Sequence, residues 1–284
     1  MVPTTHTLVS LDDHALKIAV ASVKSGSTFI QKLFFRDISG LDEISVVDEL
    51  HHGLKALGIR SKNVDYLVSS KFAITNAVEV PSFDEKEITD ILRLQATRQT
   101  PYSREDILSD HITLETIGDR YTKALLIVLS SSKLEKYFQI LQLAGLQVDH
   151  VRMGFEGIAL GVAANAELSA QETVGIVHVD YSGSEFIAVK DSKPVFARYI
   201  PIGSRELKQD PHGKKKLCCK KLANLLSRIQ AVNHRSCKDF CLLPLMARRY
   251  RLCLKRSRIV PICPYKLWMS KILFNSIASQ KTCC

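Results

Sequence analysis

The stretch "HTLVSLDDHALKIAVAS", residues 6–22, alternates apolar and polar side chains on both sides of a polar break at Asp12–His14. Period-two alternation interrupted by a short polar turn is the pattern of a β-hairpin. A third strand follows in "STFIQKLFFRDI", residues 27–38. Then "LDEISVVDELHHGLKALG", residues 41–58, spaces Ile44, Val47, Leu50, Leu54 and Leu57 by threes and fours. That spacing predicts an amphipathic helix closed by Gly58, with those five residues on its buried face. A short strand, "VDYLVSS", completes the opening of a mixed α/β layer. The same order returns after residue 172, with an apolar strand "VGIVHVD" and a hairpin "FIAVKDSKPVFARYI" turning at Asp191–Lys193. The echo predicts two related lobes with a cleft between them.

Between the two openings, residues 74–153 read as a unit of their own. "AITNAVEVP" is a strand, and helix 84–99 buries Ile88, Ile91 and Leu92 behind an N-cap at Ser82 or Asp84. Two strands follow, "DILSDHITLET" and "KALLIVLSS". Helix 133–144 presents Leu134, Tyr137, Phe138 and Leu141 before Gly145, and "LQVDHVRM" closes the unit. The order βαββαβ predicts a small α+β sandwich inserted in a larger domain. A small-residue helix, "GFEGIALGVAANA", leads from it to the second lobe.

The net charge of +10 over 284 residues averages two unlike segments. Residues 206–284 hold 18 Lys and Arg against 3 Asp and Glu, and all eight cysteines lie between 218 and 284. Residues 1–205 hold 21 basic and 26 acidic residues, a net of −5. A cysteine-free body suits a reducing compartment. The N-terminus lacks the basic start and apolar run of a signal peptide. The longest apolar run, "ALLIVL" at 124–129, falls far short of the ~20 residues that cross a bilayer. These features predict a soluble, cytoplasmic chain without a transmembrane segment, which meets a membrane only through a partner.

Four stretches together resemble the PilM family of pilus assembly proteins, over about residues 8–207. In "EVPSFDEKEITDILRLQATRQTPYSREDILSDHITLE" the matching positions are Pro81, Pro101–Tyr102, Asp106 and Asp110. "LQLAGLQVDHVRM" is similar to the family's helix-to-strand junction, at Ala144–Leu146 and Val148–Asp149. "KPVFARYIPIGSREL" is similar to its late hairpin, at Pro194, Phe196, Arg198 and Gly203. The resemblance implies an actin-like (ribonuclease H-like) two-lobed fold shared with FtsA, MreB and the secretion protein GspL. Residues 1–73 and 154–171 would form the first lobe, 74–153 the inserted subdomain, and 172–207 the start of an incomplete second lobe. It further implies a cytoplasmic position at the inner membrane, and a scaffold of type IV pilus or type II secretion-like assembly. The partner would be the N-terminal peptide of a PilN-like inner-membrane protein, with self-association into a homo-oligomer allowed for. An FtsA-like cell-division role is the alternative within the fold.

The fold also implies an ATP site with Mg²⁺. Two hairpin turns, one per lobe, would present small residues and backbone N–H groups to the phosphates, with an aspartate at each turn holding Mg²⁺ or its waters. By position these are Asp12, with Lys17 facing a phosphate, and Asp180, with Ser182 and Gly183 in its turn. The family's first turn carries a glycine, whereas this chain reads Asp12-Asp13-His14-Ala15, and Asp13 would repel a triphosphate unless it held metal. The other reading of this stretch is a plain hairpin turn with solvated carboxylates. ATP binding is therefore expected to be weak or lost, and no catalytic turnover is expected.

Other chemistries find less support. His51 and His52 are adjacent on a helix and point about 100° apart, which does not suit one metal ion. No G-x-S-x-G, P-loop, H-E-x-x-H or G-x-G-x-x-G motif occurs. The segment 208–284 offers His234, Cys237, Cys241, Cys253 and Cys263 without the paired knuckles of a zinc site. Its basicity suits a nucleic-acid backbone but lacks a recognition motif, so no specific nucleic acid is expected. A basic, Cys-rich zinc- or nucleic-acid-binding module fused to an α/β domain is the rival reading. Translation out of frame from about residue 208 accounts best for the abrupt change, and a poorly stable chain, best folded over about 1–165, would follow.

Overall fold

The computed structural model describes residues 4–24, 27–118, 120–165, 173–209 and 239–242. They fall into two compact units.

The first unit is built on a five-stranded sheet. Strands β1 (Thr4–Leu11), β2 (Ala15–Lys24) and β3 (Ser27–Asp37) form the antiparallel meander that the alternation predicts. Helix α1 (Glu43–Leu57) carries the chain to β4 (Asn63–Val68), which pairs parallel with β1. Asp42 caps α1 by accepting from Ser45 N at 2.8 Å, and Gly58 ends it in the left-handed region at φ 65°. The buried stripe is Val46, Leu50, Gly53 and Leu57, which includes Leu50 and Leu57 of the five expected, while Val47 and Leu54 are half-buried. Ile44 is 76% exposed because the Asp42 cap places it in the first turn, on the outer side of the helix. A Cβ on Gly53 would stand 2.8 Å from Ile18 Cδ1 and Phe34 Cδ1, so the glycine lets α1 lie close on β2 and β3.

In the second unit, β5 (Ala73–Val80), α2 (Glu85–Gln99), β6 (Ile107–Ile117) and β7 (Tyr121–Ser130) form a three-stranded antiparallel sheet, order β5-β7-β6. Helix α2, capped by Asp84, covers one face with Ile88, Leu92 and Ala96 packed on Ala124, Leu126 and Val128. Helix α3 (Ser131–Leu143) follows directly, belongs to the first unit from Leu134 on, and ends at Gly145, φ 73°. Its buried residues are Leu134, Tyr137, Ile140 and Leu141, with Ile140 in place of the expected Phe138.

Strand β8 (Gln147–Met153) corrects the sequence-based grouping of 74–153. It pairs parallel with β4 and completes the first sheet in the order β3-β2-β1-β4-β8. The pairing spans more than eighty residues of chain, from Asn63↔Gln147 to Val68↔Met153, which local pattern does not reveal. Helix α4 (Gly154–Asn165) follows and buries Phe155, Ala159 and Val162.

The second unit continues with β9 (Thr173–Val179), β10 (Ser184–Lys190) and β11 (Lys193–Ile200), again an antiparallel meander, and α5 (Ser204–Gln209). The β10–β11 turn takes Asp191 and Ser192 through positive φ, where the sequence reading put it. A four-residue strand, β12 (Asp239–Leu242), pairs parallel with β9 and gives the order β11-β10-β9-β12. This repeats β3-β2-β1-β4, so the echo read from the sequence is an echo of topology. Asp239–Leu242 occupy the outer edge of β9. Apart from these four residues and the end of α5, the segment 208–284 lies outside the described residues, with His234, Cys237, Cys253 and Cys263. Among the described residues no helix is long and apolar enough to cross a membrane.

Candidate functional site

The two hairpin turns singled out by the sequence are described one unit at a time. In the first unit Asp12 and Lys17 share the β1–β2 hairpin. Asp12 Oδ1 accepts from the amides of His14 at 2.8 Å and Ala15 at 2.9 Å, and Asp12 N donates to Ala15 O. This is an Asx turn, in which a side-chain oxygen takes the place of a backbone acceptor. Those amides are thereby turned inward onto the carboxylate of their own turn. As folded, they are not presented to a phosphate. Lys17 sits on β2 opposite Ser10, half-buried, and so lies beyond the turn itself.

Asp13 is held from outside the hairpin. Its carboxylate accepts from the Tyr137 phenol at 2.7 Å and lies 3.7 Å from Lys136 Nζ, both on α3. Burial, the hydrogen bond to Asp13 and the charges of Asp13 and Asp12 raise the Tyr137 phenol well above its ordinary range. Tyr66 is fully buried, donates to Leu11 O at 2.9 Å, and is raised by burial and by the same two carboxylates. Leu11, Ile38, Leu41, Val46 and Ile140 floor a small hollow here, rimmed by Asp12, Asp13, Glu43 and Lys136.

In the second unit Asp180, Ser182 and Gly183 share the β9–β10 turn, as expected. Asp180 N donates to Gly183 O at 2.9 Å, and Asp180 Oδ1 accepts from Tyr181 N at 2.8 Å. Gly183 is required by the Tyr199 ring: a Cβ there would meet Tyr199 Oη at 2.2 Å. The Tyr199 hydroxyl donates to Ser182 O at 3.2 Å. A Cβ on Gly203 would overlap Tyr181 O at 2.2 Å, and Ser204 N donates to Asp180 O at 2.8 Å. Both glycines therefore serve the packing of the turn against its own unit.

Sequence reasoning missed a buried carboxylate beside this turn. Glu185 lies on β10 between buried neighbours, and its Oε1 accepts from Ser70 N at 3.0 Å and Ser70 Oγ at 2.8 Å. His178, its cross-strand partner, brings Nδ1 to 3.5 Å from Oε2. Burial alone would push this carboxyl up, but His178 and the two Ser70 bonds outweigh it and hold the group below the ordinary range. Because Ser70 donates straight to the carboxylate and not to the imidazole, the trio is not a nucleophilic triad. The available signal was a glutamate inside the otherwise apolar "SEFIAVK". Asp65, inside "VDYLV", is the same kind of case: it is buried with His150 Nδ1 at 2.8 Å and Arg152 Nε at 3.7 Å.

His51 and His52 face different neighbours, as their 100° separation requires. His51 Nε2 lies 3.2 Å from Ala144 O, and His52 stacks edge-on to Phe34. Among the described residues no group of three or more His, Cys, Asp or Glu is placed to hold a metal ion.

Comparison with known proteins yields structures alone: no family profile and no curated protein matches the chain. The fold is similar to that of the PilM–PilN type IV pilus biogenesis complex, with a TM-score of 0.70, 12% identity, and 84% of this chain and 80% of that one covered. It is also similar to the cytoplasmic domain of EpsL, an inner-membrane component of the Vibrio cholerae type II secretion system. That match has a TM-score of 0.61 and 13% identity, over 97% of this chain and 95% of the other. A Bacteroides thetaiotaomicron protein of unknown function with an actin-like ATPase fold matches at a TM-score of 0.52, with 9% identity, over 86% and 83%. The chain has an actin-like ATPase fold, similar to that in the PilM–PilN complex.

Proposed function

We propose that this chain is a cytoplasmic scaffold of type IV pilus or type II secretion-like assembly, seated at the inner membrane by the N-terminal peptide of a PilN-like partner. Two of the structures similar to it come from such machines, and they match over most of both chains. The observation that carries the scaffold reading is the first hairpin turn. Its amides are taken up by Asp12, it has no glycine, and its extra carboxylate, Asp13, is fixed by Tyr137. A turn closed on itself in this way supports weak or lost ATP binding and no turnover. The scaffold then acts by the surface it offers and not by chemistry.

Co-expression of the full chain with a PilN-like inner-membrane protein tests this reading. The two are expected to co-purify, and removal of the partner's cytoplasmic N-terminus is expected to abolish the association. Failure to co-purify, together with steady ATP hydrolysis by the chain alone, would overturn it.

A further inference from the structure

Two strands end their sheets with a long open edge. β3 stands first in the order β3-β2-β1-β4-β8, and β6 stands last in β5-β7-β6. At 11 residues each they are the longest of the strands that end a sheet. Among the described residues no strand pairs with the outer side of either. A row of amides and carbonyls along such an edge is a template for a further strand. β3 belongs to the first unit and β6 to the second, so each edge is complete within its own unit.

Each strand carries one bulge, at Gln31 in β3 and at Leu114 in β6, which leaves 32–37 and 107–113 as regular runs. Along the first run Leu33 and Phe35 share one side and are 41% and 53% exposed. Along the second Leu108 is 44% exposed and shares its side with exposed Asp110 and half-buried Ile112. Exposed apolar side chains beside open backbone are left over from the packing of one chain, and they suit a strand laid alongside.

Charge decides which strand that is. In β3 Arg36 pairs with Glu49 at 2.7 Å and Asp37 accepts from Ser39 N, while Lys32 donates to the Leu57 carbonyl. In β6 Asp110 accepts from the amide of His111, Lys193 donates to Thr113 O at 2.7 Å, and Glu115 stands opposite Lys123. Among the described residues Lys32 therefore meets no carboxylate and Asp110 no cation. Bulges and charges keep an edge from pairing with its own kind. A second β3 would bring lysine toward lysine, and a second β6 would bring aspartate toward aspartate. β3 beside β6 brings the opposite signs together.

We propose that β3 of one copy pairs with β6 of another, so that the chain self-associates head to tail through a shared sheet. A contact between two different surfaces repeats from copy to copy instead of closing as a two-fold dimer. The pairing does not depend on the scaffold reading above.

Sedimentation velocity of the full chain over the micromolar range is expected to show species that grow with concentration. Lys32→Glu and Asp110→Lys are each expected to weaken the association about tenfold, and the chain carrying both to regain most of it. Leu33→Asp blocks β3 and Leu108→Lys blocks β6, so either variant alone is expected to stay monomeric. Mixed in equal amounts they are expected to form one-to-one dimers and nothing larger, because each supplies the edge that the other lacks. Hydrogen exchange of the unaltered chain, which depends on no variant folding, is expected to slow at 32–37 and 107–113 alone as concentration rises. A monomer at every concentration, self-association that persists in either edge variant, monomers in the mixture, or protection elsewhere on the chain would overturn the proposal.

Discussion

The Tyr137 hydroxyl donates to the Asp13 carboxylate at 2.7 Å across 124 residues of chain, joining helix α3 to the β1–β2 turn. This bond accounts for a residue that looked out of place in the sequence. A second carboxylate in a turn expected to meet phosphate is here a partner for a buried phenol.

Tyr137→Phe removes that bond and leaves the ring in place. A hydrogen bond to a charged acceptor that is itself partly exposed is worth about 1 kcal/mol, so a fall of a few degrees in melting temperature is expected. The same residue gives a spectroscopic test. Burial and Asp13 raise the Tyr137 phenol, and burial with the aspartate charges raises Tyr66, so neither ionises with ordinary tyrosines near pH 10. The absorbance rise at 295 nm through that range should be the same in wild type and Tyr137→Phe. A smaller rise in the variant would show that Tyr137 titrates normally.

Asp106 fixes the start of α3. Its oxygens accept from Ser130 Oγ at 2.7 Å, Ser131 Oγ at 2.8 Å and Ser132 N at 2.7 Å. These bonds, that from Ser130 first, hold its pKa down to about 2. A depressed carboxyl contributes its stability above the ordinary aspartate range near 3.9 and loses it as pH falls toward the folded value. Thermal melts from pH 5 down to pH 2 should therefore steepen less in Asp106→Asn than in wild type. Parallel curves would remove Asp106 from the acid response.

Glu185 is the buried charge on which the second unit depends most. Glu185→Ala would strand Ser70 Oγ and the buried His178 Nδ1, and removing one partner of such a cluster costs about 3 kcal/mol or more. Ser70→Ala removes one bond and leaves the amide contact, so about 1 kcal/mol is expected. A double variant should show less than the sum of the two losses, because they share one interaction. Additive losses would mean that the contacts are independent.

Three glycines should rank by what surrounds them. Gly203→Ala drives a Cβ into backbone at 2.2 Å and should be the most damaging. At Gly53, Ala meets the ends of Ile18 and Phe34 at 2.8 Å, which can move, so an overpacking cost of about 1–3 kcal/mol is expected. Gly58→Ala meets only Lys32 Nζ, at an ordinary 3.5 Å, but needs φ 65°, a cost of about 1 kcal/mol. Circular-dichroism melts of the three variants check the order, and a Gly58→Ala loss exceeding that of Gly203→Ala would contradict it.

The sequence made legible what depends on near neighbours. Both meanders show in the alternation around Asp12–His14 and around Asp191–Lys193. The end of α1 shows in Gly58, and the α2 cap in Asp84. What escaped depends on residues far apart in the chain. The β4–β8 pairing joins Asn63 to Gln147, so β8 was grouped with the wrong sheet. Periodicity alone put Ile44 inside, since a one-dimensional pattern does not show where Asp42 starts the helix. The turn residues Asp12, Asp180, Ser182 and Gly183 were found by position, but their bonding was not. That Asp12 turns on itself follows from two amide contacts, and that Gly183 makes room for Tyr199 follows from a ring sixteen residues away.

The central claim is that the first turn is closed on itself and the chain works as a scaffold. Isothermal titration of the full chain with Mg–ATP tests it most directly. The expected result is no saturable heat up to millimolar nucleotide. A micromolar dissociation constant that weakens on Asp180→Ala would contradict the account, since it would show the turns gripping phosphate despite the bonds that Asp12 makes to His14 and Ala15.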